Sequence, residues 1–100
     1  MSELKGSARK YLRGLAHSLR PVVQIGKDGL TDAVVGSLED ALSTQELIKV
    51  QFVGSRESKD EIIAAVEERT GSTCVGRIGH MAILYREHPD QDRRRIVLPR

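Results

Sequence analysis

The spacing of apolar residues switches repeatedly between a helical and an extended period, and that alternation constrains the fold more than any other property of the chain. Leu4, Ala8, Tyr11, Leu12, Leu15 and Leu19 recur at helical spacing, which predicts an amphipathic helix over 4–19. Pro21 stops it, because proline cannot continue a helical hydrogen-bond ladder. Val22 to Ile25 is a short apolar run, too short for a helix, and predicts a buried strand. Thr31 then reads as an N-cap, its hydroxyl able to accept from a first-turn amide. Ala33, Val34, Leu38, Ala41 and Leu42 supply the core face of a second helix. From Leu47 to Val53 the period returns to two, with Ile48, Val50 and Phe52 on one side and Lys49 and Gln51 on the other.

Ser58-Lys59-Asp60-Glu61 fits a capping box, Ile62, Ile63, Ala65 and Val66 form the apolar face behind it, and Gly71 closes the third helix. Strands over 73–78 and 81–86 flank Gly79-His80. The order is α-β-α-β-α-β-β, an α/β chain of 100 residues in one domain. Its core is expected over about 4–86, with 87–100 a tail that includes a short edge strand at Ile96-Val97-Leu98. A chain of this size buries roughly two-thirds of its unfolded surface, enough for a fold without staples.

The net charge of +2 hides a segregated pattern. Residues 1–30 carry Lys5, Arg9, Lys10, Arg13, Arg20 and Lys27 against Glu3 and Asp28. Residues 31–70 carry nine acids against Lys49, Arg56, Lys59 and Arg69, and residues 71–100 are basic again. Within the first helix Arg9, Arg13, His17 and Arg20 make a cationic stripe with Lys10 beside it. Charge divided in this way points to a polyanion partner or a steering field. No stretch approaches the ~20 apolar residues of a membrane span. The first ten residues lack the apolar block of a signal peptide, so a cytoplasmic location is expected.

Catalytic and metal-binding patterns are absent. His17, His80 and His88 have no ligand spacing, and the single Cys74 can form neither an internal disulfide nor a cysteine cage. No nucleophile motif is present, so no catalytic residue, metal or other cofactor is assigned, an enzyme is disfavoured, and no small-molecule substrate is expected. Tyr11 and Phe52 fall at apolar-face positions and are assigned to the core, leaving too few rings for a stacking platform.

Gly-x-x-Gly occurs at 26–29 and at 76–79. Only the first joins a strand to a capped helix, where exposed amides and the positive end of the helix dipole favour phosphate. Lys27 adds a mobile cation there, while the acid of Asp28 opposes phosphate unless it faces away or reads a base edge or hydroxyl. A similar loop in KH modules clamps the backbone of about four nucleotides. The candidate RNA-binding set is therefore Gly26, Lys27, Asp28 and Gly29 with Lys5, Arg9, Lys10, Arg13 and Arg20, expected to form one continuous positive surface, and Lys49 and Arg86 at the rim. The competing reading is a protein-interaction module that docks through the acidic 31–70 segment or the terminal strand.

The runs Leu12-Arg13-Gly14-Leu15-Ala16-His17 and Leu19-Arg20-Pro21-Val22-Val23-Gln24-Ile25-Gly26-Lys27-Asp28-Gly29-Leu30 resemble the opening of the CRM domain (chloroplast RNA splicing and ribosome maturation). Glu46-Leu47-Ile48-Lys49-Val50, Ile78-Gly79, Leu84-Tyr85-Arg86 and Ile96-Val97-Leu98-Pro99 are similar to its later blocks, and the stand-alone bacterial YhbY-like members are the nearest in form. The resemblance implies a four-stranded mixed sheet packed with helices, similar to the C-terminal domain of translation initiation factor three. It also implies a monomeric, non-catalytic RNA-binding protein that associates with ribosomal RNA in precursors of the large subunit. The family's glycine loop falls on 26–29 and its basic first helix on Arg9, Lys10 and Arg13.

Overall fold

A computed structural model describes residues 4–54 and 58–98. Glu3 and Arg56, which enter the charge pattern, and Pro99, in the family-like ending, lie outside the described residues. In chain order the elements are α1 (Gly6–Ala16), β1 (Pro21–Ile25), α2 (Asp32–Gln45), β2 (Leu47–Phe52), α3 (Lys59–Thr70), β3 (Thr73–Ile78), β4 (Met81–Tyr85) and a short 3-10 turn over Gln91–Arg93. The four strands form one mixed sheet in the order β1-β2-β4-β3. β1 runs parallel to β2, and β4 runs antiparallel to both β2 and β3. β1 and β3 are therefore the two edges.

The period-two pattern of β2 divides the molecule into layers. Ile48, Val50 and Phe52 face one side, where they join Val23, Ile25, Ala82 and Leu84 in a core closed by Leu38 and Leu42 of α2 and Ile62, Ile63 and Val66 of α3. Leu47 faces the other side and packs with Val75, Ile83 and Tyr85 beneath Leu12 and Ala16 of α1. The helix of α1 carries no side-chain N-cap and no acid in its first turn. Its placement rests on burying Ala8, Leu12 and Ala16, one residue per turn.

Local punctuation behaves as expected at two of three helix ends. Thr31 Oγ1 accepts from the Val34 amide at 3.2 Å. Gly71 closes α3 in the left-handed region, at φ 71°, and donates to Glu67 O at 2.9 Å. Ser58 makes no side-chain cap bond, so the capping box is not formed; Asp60 and Glu61 still complement the helix dipole there.

The expected terminal strand is also absent. Residues 94–98 have no strand pairing, although Ile96 and Leu98 pack against the core under α1 while Val97 stands 83% exposed. The reason is Glu46. Its side chain is buried, its backbone sits at φ 62°, and its Oε1 accepts from the amides of Arg95 (2.6 Å) and Ile96 (3.3 Å) while Oε2 accepts from that of His88 (2.8 Å). A carboxylate thus takes the amides that a strand ladder would have used.

Tyr85 is buried against this tail, and its hydroxyl has no hydrogen-bond partner among the described residues. Burial, reinforced by the Glu87 and Glu46 carboxylates and opposed by Arg94, pushes the phenol from an ordinary 10.0 up to about 12. The unfolded chain then loses its phenolic proton first, so stability falls as pH climbs between those two values. Replacing Tyr85 by Phe removes a desolvated, unpaired hydroxyl and is expected to stabilise the fold by about 1 kcal/mol at neutral pH. It should also remove this group's share of the alkaline loss; urea unfolding across that pH range measures both effects.

Candidate nucleic-acid interface

The layers separate the charges. α1 and its flanks carry Lys5, Arg9, Lys10, Arg13 and Arg20, with no acid between residues 4 and 20. On the opposite side of the sheet α2 and α3 carry Asp32, Glu39, Asp40, Asp60, Glu61, Glu67 and Glu68 against Lys59 and Arg69. The ion pairs among the described residues all use arginines from the second half of the chain, Arg69, Arg77, Arg86, Arg93 and Arg94. Among the described residues no carboxylate pairs with any cation between Lys5 and Lys49, so the positive charge of the α1 layer is uncompensated from within.

Arg9 and Arg13 project from α1 onto β3. Arg9 Nη1 donates to Cys74 O at 3.1 Å, and Arg13 Nη1 donates to Val75 O at 2.9 Å. Gly76 makes room for the second of these, because a Cβ there would lie 2.7 Å from Arg13 Cδ. A guanidinium has five N–H donors, so one bond to a carbonyl orients the group and leaves donors for an anion. Cys74, whose carbonyl anchors Arg9, is half-buried, and burial pushes its thiol up. Lys10 lies exposed on the outer side of α1, and Lys5 and Arg20 lie exposed at its two ends.

The glycine loop joins β1 to the Thr31-capped α2, as the sequence places it, but it does not lie beside Arg9 and Arg13. An uninterrupted surface through Arg9, Arg13 and Lys27 was expected. The loop instead follows β1, one sheet edge, while Arg9 and Arg13 are tied to β3, the other edge. Sheet order decides this, and sheet order is not a local property. Within the loop, Gly29 N–H donates to Gly26 O at 3.0 Å, closing a turn with Lys27 and Asp28 exposed at its tip. Gly29 is buried at φ 70°, a conformation that favours glycine. Its amide is thus spent on the turn, and the Val34 amide is spent on Thr31. Asp32 already faces the helix N-terminus and pairs with Arg69 at 3.4 Å. Lys27 adds an exposed ammonium at the tip of the turn.

The two rim residues part company. Lys49 alternates with Leu47 and Gln51 onto the α1 side of the sheet, where Gln51 and Gln24 lie side by side with their amides 3.4 Å apart. Only 8% of Lys49 is exposed, so its stem covers apolar surface. Arg86 belongs to the other layer. Its Nη1 donates to Glu39 Oε2 and Thr70 O, each at 2.8 Å, and its Nη2 donates to Ser43 Oγ at 3.0 Å. This guanidinium staples β4 to α2 and α3 and is not at the rim.

Two residues escaped the sequence reading. Tyr11 was assigned to the core but is 43% exposed, because the sheet takes Ala8, Leu12 and Ala16 instead. Arg95 stands with Leu15, Leu19, Leu47 and Ile96 around a groove of about 450 Å³ beside α1. The alternation of Ile96, Val97 and Leu98 carried a signal that this segment packs, but not on which layer.

Comparison with known proteins agrees with this architecture. The model of the CRS1 / YhbY (CRM) domain matches residues 4–86. An RNA-binding protein of Haemophilus influenzae is 44% identical over 101 residues, covering 100% of this chain and 99% of its own. A Bacillus subtilis protein named "Probable RNA-binding protein YqeI" is 34% identical over 97 residues, covering 96% of this chain and 99% of its own. The solution structure of a Staphylococcus aureus protein, described as a candidate RNA-binding protein, superposes with a TM-score of 0.81 at 37% identity, covering 97% of this chain and 100% of that one. With α1, the glycine-bracketed turn and the β3-β4 hairpin all inside the matched span, the chain belongs to the CRS1 / YhbY (CRM) domain family.

Proposed function

We propose that this protein is a non-catalytic RNA-binding protein that docks on the RNA backbone through its α1 layer and assists assembly of the large ribosomal subunit. The observation that carries the reading is the set of cations on one face with no carboxylate partner among the described residues, set against an acidic layer on the opposite face. Such a dipolar molecule is drawn to a polyphosphate one way round. Names borne by its relatives point to the same ligand class. Lys5, Lys10 and Arg20 supply mobile charge. Arg9 and Arg13, oriented by β3 carbonyls, supply fixed guanidinium groups suited to phosphate. Lys27 at the tip of the glycine loop extends the contact, and Asp28 biases the loop towards a hydroxyl or base edge. The protein acts as a monomer in the cytoplasm on this reading.

The test is a salt titration of RNA affinity. The logarithm of the association constant is expected to fall linearly with the logarithm of salt, by about 0.7 for each phosphate contacted on a single strand. Cosedimentation of the tagged protein with large-subunit precursors, and not with mature small subunits, tests the ribosomal half of the proposal. A salt-independent affinity, or sedimentation free of ribosomal particles, would contradict the corresponding half.

A further inference from the structure

The outward side of α1 is not uniformly polar. Ser7, Tyr11 and Leu15 form one row at i, i+4, i+8, and Lys10 and Gly14 form the row beside it. Together they line an open notch of about 530 Å³. Tyr11 and Leu15 are 43% and 38% exposed, although the helix already has its buried face in Ala8, Leu12 and Ala16. Gly14 is the instructive member. In a helix the side chains three and four residues further on lean back over a given position. Gly14 therefore leaves uncovered the part of the Tyr11 ring that a larger residue would hide. A Cβ at Gly14 would meet nothing within 4 Å, so packing does not demand glycine there. A glycine in mid-helix lowers helix stability relative to alanine.

We propose that this notch receives one unpaired nucleobase of single-stranded RNA, stacked on Tyr11, with Lys10 holding an adjoining phosphate. The inference rests on the RNA reading above and narrows it: the protein selects single strands and loops over duplex. Charge complementarity identifies the occupant. The notch lies on a helix whose neighbourhood, residues 4–20, has five cations and no acid, and a single strand presents flat bases and phosphates together. A duplex keeps its bases stacked within the helix and has none to offer.

The chain has two tyrosines and no tryptophan, and Tyr85 is buried, so Tyr11 is the exposed fluorescent reporter. Oligoadenylate should quench tyrosine emission, and a paired RNA of equal charge should not. Tyr11→Ala should weaken oligoadenylate binding about tenfold and leave duplex binding unchanged, whereas Tyr11→Phe should bind like the parent. Gly14→Leu guards against a folding artefact, since it fills the notch while favouring the helix. It is expected to raise the melting temperature and lower single-strand affinity. The proposal falls if Tyr11→Ala and Gly14→Leu bind oligoadenylate like the parent, if single-strand and duplex affinities fall together, or if Tyr11 governs binding to anionic phospholipid vesicles but not to RNA. In the first case, continued sensitivity to charge reversal on α1 would leave the broader RNA reading standing. If the parent binds neither kind of RNA, that reading fails as well.

Discussion

Glu46→Ala is expected to destabilise the protein by about 3–5 kcal/mol, against a total of about 5–15 for a domain of this kind. Three backbone amides, those of His88, Arg95 and Ile96, terminate on this one buried carboxylate, and the Glu46 carbonyl accepts a fourth from Arg86. Hydrogen bonds to a charged acceptor each contribute more than neutral ones, and alanine would leave the donors without an acceptor. The backbone at Glu46 would remain at positive φ, so its strain is not relieved by the change. A loss of this size corresponds to a fall of about 15–30 °C in melting temperature. The effect should concentrate in the tail: the amides of Arg95 and Ile96 should lose protection from hydrogen exchange, and limited proteolysis should cut beyond Arg86. Glu46→Gln should lose most of the same stability, because its NH2 group turns a donor towards donors. A variant with parental melting temperature and a protected tail would show that apolar packing of Ile96 and Leu98 holds the segment unaided.

The double variant Lys10→Glu, Lys27→Glu is expected to lower RNA affinity by about 100-fold at physiological salt, since each change removes an attraction and adds a repulsion. These two positions are chosen over Arg9 and Arg13 because neither lysine makes a hydrogen bond or ion pair among the described residues. Their reversal should therefore leave the fold intact, whereas reversing Arg13 would also break its bond to Val75 O. The slope of affinity against salt should shrink by about 1.4, the share of two phosphates on a single strand. Reversing Asp40 and Glu68, exposed on the acidic layer, should not weaken binding. Should the acidic-layer variant lose affinity and the lysine variant keep it, the protein binds its partner through the α2 and α3 face. Measured affinities over a salt series for all three proteins decide between these outcomes.

Much of the fold was legible because helices and strands announce themselves locally. Apolar spacing and turn signals located the three α-helices and the four sheet strands, though not the 3-10 turn over Gln91–Arg93, and Thr31 and Gly71 act as their residue types suggest. Boundaries shifted where a local signal met a competing contact. Ser58 and Glu61 have the spacing of a capping box but do not close it. The Ile96–Leu98 run has strand composition, yet the amides at 95 and 96 go to a carboxylate some fifty positions earlier. Tyr11 has core spacing on a helical wheel, but the sheet beneath α1 admits one stripe, and the small residues Ala8 and Ala16 bring the helix close enough to leave Tyr11 outside.

The candidate interface was legible in its chemistry and not in its arrangement. That the first thirty residues are cationic follows from composition, and that Gly29 takes a turn conformation follows from its neighbours. Which cations stand together does not follow, because Arg9 and Lys27 are held at opposite edges of a sheet whose strand order is β1-β2-β4-β3. The role of Arg86 was hidden for the same reason, since its partners come from α2 and α3. The period of a segment depends on residues a few positions apart, so the chain alone determined the elements, their order and their charge. Which face of the sheet each helix covers depends on contacts between residues far apart in sequence. The tertiary structure alone therefore decided that the cationic α1 and the acid-rich α2 and α3 lie on opposite layers, that Glu46 anchors the tail, and that Tyr11 faces outward.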